Sequence, residues 1–186
     1  MNQSPELVVL VDEQNNVLGT TPKETVHTAN TPLHRGFSAF IFDFEGKILL
    51  QQRSHTKKTW PLVWSNSCCG HPGLEENNVD AVRRRLKLEL NLEVSDLFEV
   101  EPYRYKFTRD GIMENEICPV FVGFTNNLPM INPNEVEATK WQDWRVFIEE
   151  IKNSPQNWSD WCVEETLILE NSTKFKALWD EFVDML

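Results

Sequence analysis

The sequence contains no apolar run approaching the roughly 20 residues that a helix needs to span a bilayer, so no membrane partner is expected. Its opening, MNQSPELVVLVDEQ, lacks the basic start and long apolar stretch that precede a signal-peptidase site, which makes a cytoplasmic location the expectation. Positive charge is scarce: 18 Lys and Arg stand against 29 Asp and Glu, a formal net charge of −11. Binding a phosphate backbone requires a net basic surface, so nucleic acid is excluded as the main partner. Any small anionic ligand must instead meet a local group of cations. Cysteine is limited to Cys68, Cys69, Cys118 and Cys162, and the adjacent pair would point to opposite faces of an extended chain, which is poor disulfide geometry. Reduced thiols follow. With no linker, repeat, low-complexity tract or composition shift, the 186 residues are expected to form one domain, 1–186, acting as a monomer.

A hydrophobic share of 40 % is enough for a packed core, and its patterning is β-rich first and helical last. LVVLV at 7–11, polar DEQNN and VLG predict one hairpin; FSAFIFDF, EG and KILLQQR predict a second. Val79, Val82, Leu86 and Leu90 recur at steps of three and four, giving one apolar helical face over Val79 to Leu92 beneath a run of charges. A strand is expected just before it, around VWSNSCC. FEVEPYRYKFT and IMENEICPVFVGF are two β-like stretches joined by Asp110 and Gly111, with Pro119 marking an edge or bulge. DWRVFIEEIKN, SDWCVEETLILEN and TKFKALWDEFVDML predict three terminal helices, with Ser159 as N-cap of the one carrying Trp161. The expected fold class is α/β with a mixed sheet layered between helices.

Metal chemistry is suggested by spacing. His27 and His34 lie seven apart, but Thr31-Pro32 breaks the interval, so a loop must bring them together. His71 follows Cys69 by two residues, and Glu116 follows Glu114 by two, so each pair shares a face on extended chain. Two carboxylates on one face repel unless a cation or a shared proton offsets the charge. Together His27, His34, His71, Glu114 and Glu116 form a mixed nitrogen and oxygen set suited to Mn²⁺, Zn²⁺ or Mg²⁺. Basic residues gather in RSHTKK (Arg53, Lys57, Lys58) and at Arg83, Arg84 and Arg85.

The stretches HTANTPLH, WPLVWSNSCCGHP, YRYKFT, ENEICPVF and NWSDW, in that order over about residues 6 to 165, resemble the successive signatures of type I isopentenyl diphosphate isomerases. That family is built on the Nudix fold, here with added N-terminal strands and C-terminal helices, and Gly70 to Leu92 resembles a degraded Nudix box. Gly70, Glu76 and Arg84 fall on box positions, whereas Arg85 and Leu88 replace two acids and Asn91 replaces the glycine. Glu89 alone survives from the acidic core. A hydrolase needs several carboxylates to hold metals around the bridging oxygen, so these losses disfavour hydrolysis.

The resemblance implies interconversion of isopentenyl and dimethylallyl diphosphate through a tertiary carbocation, with a small-molecule substrate. Cys69 and Glu116 would exchange protons with the isoprenoid from opposite faces, Tyr105 would hydrogen-bond Glu116, and Trp161 would lie over the cation. Lys23, Arg53, Lys57 and Arg85 would hold the diphosphate together with Mg²⁺ bound by Glu89 and the backbone carbonyl of Cys69. A second divalent ion, Mn²⁺, Zn²⁺ or Mg²⁺, would sit among His27, His34, His71, Glu114 and Glu116. No chemistry is assigned to Cys68, Cys118, Cys162 or His55. A Nudix hydrolase and a non-catalytic metal protein are the competing readings.

Overall fold

The computed structural model describes residues 6–183. In chain order the strands are β1 (Leu7–Val11), β2 (Val17–Pro22), β3 (His34–Arg35), β4 (Phe37–Phe42), β5 (Lys47–Arg53), β6 (Trp64–Ser65), β7 (Cys68–Gly70), β8 (Leu97–Glu101), β9 (Arg104–Arg109), β10 (Ile112–Ile117), β11 (Val120–Phe124) and β12 (Val136–Asp143). The helices are α1 (Lys23–Val26), α2 (Asn78–Leu90), α3 (Trp144–Asn153), α4 (Asp160–Asn171) and α5 (Thr173–Phe182). The last three residues of the predicted terminal helix, 184–186, lie outside the described residues.

Two sheets form where one mixed sheet was expected. One has the order β2-β1-β3-β10-β9; the other runs β12-β5-β4-β11-β8, with β6 on β5 and β7 on β4. Both predicted β stretches in 98–124 cross between the sheets. FEVEPYRYKFT breaks at Pro102 into β8 and β9, and IMENEICPVFVGF breaks at Cys118-Pro119 into β10 and β11. A prolyl ring removes the ladder donor and stops the strand, so the chain leaves one sheet and enters the next at these points. Asp110 and Gly111, both at positive φ, then close the β9–β10 hairpin, as the sequence predicts.

The hairpin of 7–22 forms as expected, but β4 and β5 share only the Phe42–Ile48 register. β4 is instead wholly buried and pairs in parallel with β11 and antiparallel with β7. A strand buried on both faces reads as a continuous apolar run, which FSAFIF does. β12 was not legible: its alternating burial is weak because it is an outer strand beside β5, rich in long polar side chains. The strand expected around VWSNSCC is two short strands, β6 and β7.

The amphipathic helix is α2. Asn77 caps it by accepting from the Asp80 N–H at 2.9 Å, and Ala81, Val82, Leu86 and Leu90 bury one stripe against Phe37, Ala39, Ile41, Leu49 and Phe121. Asn91 ends it at φ 46 with its N–H on the carbonyls of Leu86 and Lys87. Asparagine tolerates this left-handed cap better than other residues carrying a Cβ, which explains how it replaces a glycine there. The helices α3, α4 and α5 pack Trp144, Phe147, Trp161 and Phe175 into the second core with Phe40, Phe42 and Tyr105. Ser159 is the N-cap of α4, but its hydroxyl bonds Ser65 Oγ at 2.8 Å and makes no capping hydrogen bond.

Candidate active site

Between the sheets lies a cavity of about 500 Å³. One sheet contributes His34, Glu114, Glu116 and Tyr105; the other contributes Arg53 and Cys69; α2 adds Arg85 and Glu89, and α4 adds Trp161. His27 follows α1, and the loop after it returns to β3, so the proline-broken interval does bring His27 and His34 together. Their ring centroids are 5.3 Å apart, and those of His34 and His71 are 5.2 Å apart. The ligand atoms of His27, His34, His71 and Glu116 all lie within 4.8 Å of one another. Glu114 joins at the edge through His27 Nε2, 3.3 Å from its Oε2.

This arrangement fits a divalent cation for an electrostatic reason. His34 Nδ1 lies 2.9 Å from the Pro32 carbonyl oxygen, which can only accept, so Nδ1 carries the proton and Nε2 of the neutral ring carries a lone pair. That lone pair sits 3.1 Å from Glu116 Oε1 without an aligned hydrogen bond. Two electron-rich atoms face each other there, and a proton or a metal ion must lie between them. Burial holds the His71 imidazole down to about 4, leaving it neutral and able to ligate. Burial would raise the Glu116 carboxyl, but the close His34 imidazole and the hydrogen bond with His71 outweigh it and hold Glu116 well below its usual range. Burial, only partly offset by the hydrogen bond with His27, raises Glu114. Glu116 also accepts from the Tyr105 hydroxyl at 2.9 Å. The chain between β3 and β4 passes so close that a Cβ at Gly36 would lie 2.0 Å from Glu116 Oε2.

Across the cavity, Cys69 donates its thiol hydrogen to Asn66 Oδ1 at 3.1 Å. Burial pushes this thiol up to about 12. The amide of Asn66 cannot turn, because its Nδ2 donates to the carbonyls of Ala39 and Cys68. The Trp161 ring, 5 % exposed, stands with Trp60 at 5.9 Å and Phe107 at 6.2 Å between centroids, and the stack continues through Tyr105 and Tyr103. Of these rings Trp161 and Tyr105 line the cavity, giving it an aromatic wall with Trp60 and Phe107 packed against Trp161.

The other end is charged. Lys23, Arg53, Lys57 and Arg85 line it, as do Glu6, Glu89 and Glu135. Arg85 is 3 % exposed and pairs with Glu89 one turn on and with Glu135 at 3.0 Å. Lys57 also pairs with Glu135, and Lys23 with Glu6 at 3.0 Å. Of the three consecutive arginines only Arg85 turns inward; Arg84 pairs with Glu76 and Arg83 with the Ser95 carbonyl. Glu89 accepts from Gln51 at 3.2 Å and from Cys68 Sγ at 3.6 Å. His55 is exposed and paired with Glu137, away from the site.

The structure thus brings every site residue that the resemblance implied to one cavity or its immediate edge, including His34, which is fully buried behind it, whereas Arg83, Arg84 and His55 lie outside it. Asn66, Trp60, Ser38, Gln51, Glu6 and Glu135 were not found by sequence reasoning. Trp60 sits at φ 45 on an irregular turn that leaves no periodicity to detect, and Asn66 meets Trp161 only through tertiary contact.

Residues 32–162 match the NUDIX domain family. Among solved structures, a Deinococcus radiodurans protein is similar with TM-score 0.68 and 21 % identity, covering 88 % of this chain and 98 % of its own. A MutT NUDIX hydrolase from Burkholderia pseudomallei aligns with TM-score 0.58 and 20 % identity, over 73 % and 96 %. These two likenesses establish the fold alone. In sequence, the chain is 44 % identical over 176 residues to an isopentenyl-diphosphate Delta-isomerase of Saccharopolyspora erythraea, covering 94 % of this chain and 91 % of the relative. It is 41 % identical over 160 residues to one from Salmonella paratyphi B, covering 85 % and 88 %. This level of identity over nearly the full length, with the NUDIX match over residues 32–162, places the chain in the isopentenyl-diphosphate Delta-isomerase family.

Proposed function

We propose that this chain interconverts isopentenyl diphosphate and dimethylallyl diphosphate by moving protons at Cys69 and Glu116. The observation that carries the assignment of residues is that the partly buried Cys69 thiol and the buried Glu116 carboxyl, contributed by different sheets, line one cavity with Trp161. In the direction toward dimethylallyl diphosphate, a proton is added to the terminal alkene carbon and another is lost from the carbon next to the diphosphate-bearing one. The double bond moves and no atom is gained or lost overall. A cation is formed in between at the tertiary carbon. General acid and base help contributes about 10²- to 10⁴-fold, and the Trp161 indole adds on the order of 2 kcal/mol through a desolvated cation–π contact. Trp161, backed by Trp60 and Phe107, keeps out water that would capture the cation as an alcohol.

Tyr105 holds Glu116 in place. Lys23, Arg53, Lys57 and Arg85 orient the diphosphate, with Lys23, Lys57 and Arg85 exchanging Glu6 and Glu135 for phosphate oxygens. A divalent ion held by His27, His34, His71, Glu114 and Glu116 would neutralise the paired carboxylates and fix the position of Glu116. Mg²⁺ held by Glu89 and the Cys69 carbonyl would screen the diphosphate charge. The whole site rests on one folded unit that we take to be a single domain.

A Cys69→Ala variant tests this reading. Isomerisation is expected to be almost abolished while metal content and folding are kept; unchanged turnover removes Cys69 from the reaction. Release of phosphate from either diphosphate would favour the hydrolase reading instead.

A further inference from the structure

Among the cations that line the cavity, Arg53 differs in what it holds. Lys23, Lys57 and Arg85 pair with carboxylates, whereas Arg53 pairs with none among the described residues. Its N–H groups go instead to a turn that follows β5. Nη2 donates to the Thr59 carbonyl at 2.9 Å and to Thr59 Oγ1 at 3.2 Å. Nε is shared between the carbonyls of Thr59 and Trp60, at 3.3 and 3.2 Å. The hydrogens of Nε and Nη2 are thereby used, and Nη1 is left for a ligand. A diphosphate therefore meets one nitrogen of Arg53 and not the planar fork that makes arginine a bidentate phosphate holder.

The turn needs holding. Trp60 at φ 45 and Leu62 at φ 63 both lie in the left-handed region, where a bulky side chain is strained, and such strain persists only where surrounding contacts fix it. Pro61 between them has no N–H to contribute. The fixing contacts come from β5: besides the guanidinium, the Arg53 carbonyl accepts from the Leu62 N–H at 3.0 Å, and Gln52 Nε2 donates to the Leu62 carbonyl at 2.9 Å. What the turn delivers is the buried Trp60 indole, 5.9 Å from Trp161 and 5.8 Å from Phe107 between centroids. Asn66 fixes Trp161 at its N–H; Trp60 packs against the ring. Arg53 also reaches Trp161 directly, its Cζ lying 5.8 Å from the ring centre. The stretch that carries Lys57 is tied elsewhere: Ser54 Oγ donates to the Pro133 carbonyl at 2.8 Å, and the Lys57 N–H to the Ser54 carbonyl at 3.1 Å.

We propose that Arg53 is a positioning residue for the aromatic wall: it clamps the turn 59–62 and, through Trp60, holds Trp161 where the cation forms. Charge alone cannot do this. A lysine at this position would keep a cation in the cavity and could replace the single Nη1 contact, but an ammonium on a flexible stem has no rigid fork with which to hold the turn. Wall placement and diphosphate affinity are therefore separable at this one residue.

The inference rests on the role proposed for Trp161, and the test keeps the two apart. In metal-loaded protein, Arg53→Lys should lower kcat by about tenfold to a hundredfold, up to the cost of misplacing a reacting group by about 1 Å. The Kd for inorganic diphosphate with Mg²⁺, read by titration calorimetry, should rise by far less than kcat falls. Trp60→Leu, which leaves every cation in place, should show the same split, and it carries the test should Arg53→Lys fail to fold. Because clamp and ring act as one unit, the loss in the double variant should fall short of the product of the two single losses. Diphosphate binding weakened as much as kcat or more in Arg53→Lys, full activity in Trp60→Leu, or single losses that multiply in the double variant would each overturn the inference. An impaired Trp161→Ala beside a fully active Trp60→Leu removes this inference alone, whereas a fully active Trp161→Ala removes the reading beneath it.

Discussion

Cys69 and Trp161 share one acceptor: Oδ1 of Asn66 takes the thiol hydrogen at 3.1 Å and the indole N–H at 3.1 Å. The acid group and the aromatic wall are therefore set by a single buried amide, 95 residues from the indole in sequence. A shift of either side chain disturbs the other through that oxygen.

Trp161→Phe keeps an aromatic face and loses the N–H bonded to Asn66. Steady-state kinetics should show a moderate fall in kcat for Trp161→Phe and a larger one for Trp161→Ala, the difference approaching the ~2 kcal/mol of a desolvated cation–π contact. Equal rates for the two variants would count against the indole as a cation-stabilising wall.

The Cys69 thiol, pushed by burial up to about 12, has only about 10⁻⁴ of its population as thiolate at pH 8. Alkylation of Cys69 by iodoacetamide should be slow at that pH and rise about tenfold per pH unit. The same burial raises Cys68, Cys118 and Cys162. From about pH 8.5 upward the unfolded chain loses thiol protons that the native state keeps, so native stability falls as pH rises through this window. Denaturant melts at pH 8, 9 and 10 read that slope.

Arg85 and Glu89 are both nearly fully buried and paired on α2. Arg85→Met leaves Glu89 buried without its charge partner, which should cost about 3–5 kcal/mol of stability in metal-free protein by urea titration. A loss below about 1 kcal/mol would show that Gln51 and Cys68 satisfy Glu89 by themselves.

Part of this site was legible in local periods, while the roles of Cys69, Tyr105, Trp161 and the diphosphate-facing cations were implied only by the family resemblance. The step of two places Cys69 with His71, and Glu114 with Glu116, on the cavity side of extended chain; the step of four joins Arg85 to Glu89. The apolar stripe of α2 was visible for the same reason. What was hidden depends on contacts between distant segments. Asn66 and Ser38 are ordinary polar residues in sequence, and they acquire meaning only where β4, the turn before β7 and α4 meet. The two-sheet arrangement was foreshadowed by Pro119, but Pro102 was needed as well to divert the second chain segment. β12 was missed because an outer strand of long polar side chains carries no strong alternation.

Stripping divalent metal with a chelator should lower the melting temperature and abolish turnover, since His34 and Glu116 are left with facing lone pairs. Adding back Mn²⁺ or Mg²⁺ at one hundred times its Kd should restore about 2.7 kcal/mol. His71→Ala should weaken metal binding by titration calorimetry while the fold persists. A melting temperature indifferent to chelator and metal would contradict the assignment of the histidine cluster.

The most direct measurement is NMR of isopentenyl diphosphate incubated with purified protein and Mg²⁺ in heavy water, run beside Cys69→Ala and Glu116→Gln. The expected result is dimethylallyl diphosphate carrying deuterium in the new methyl group, with both variants inert although folded. Product formed without solvent deuterium, or formed at full rate by either variant, would contradict a proton transfer shared between that sulfur and that carboxylate.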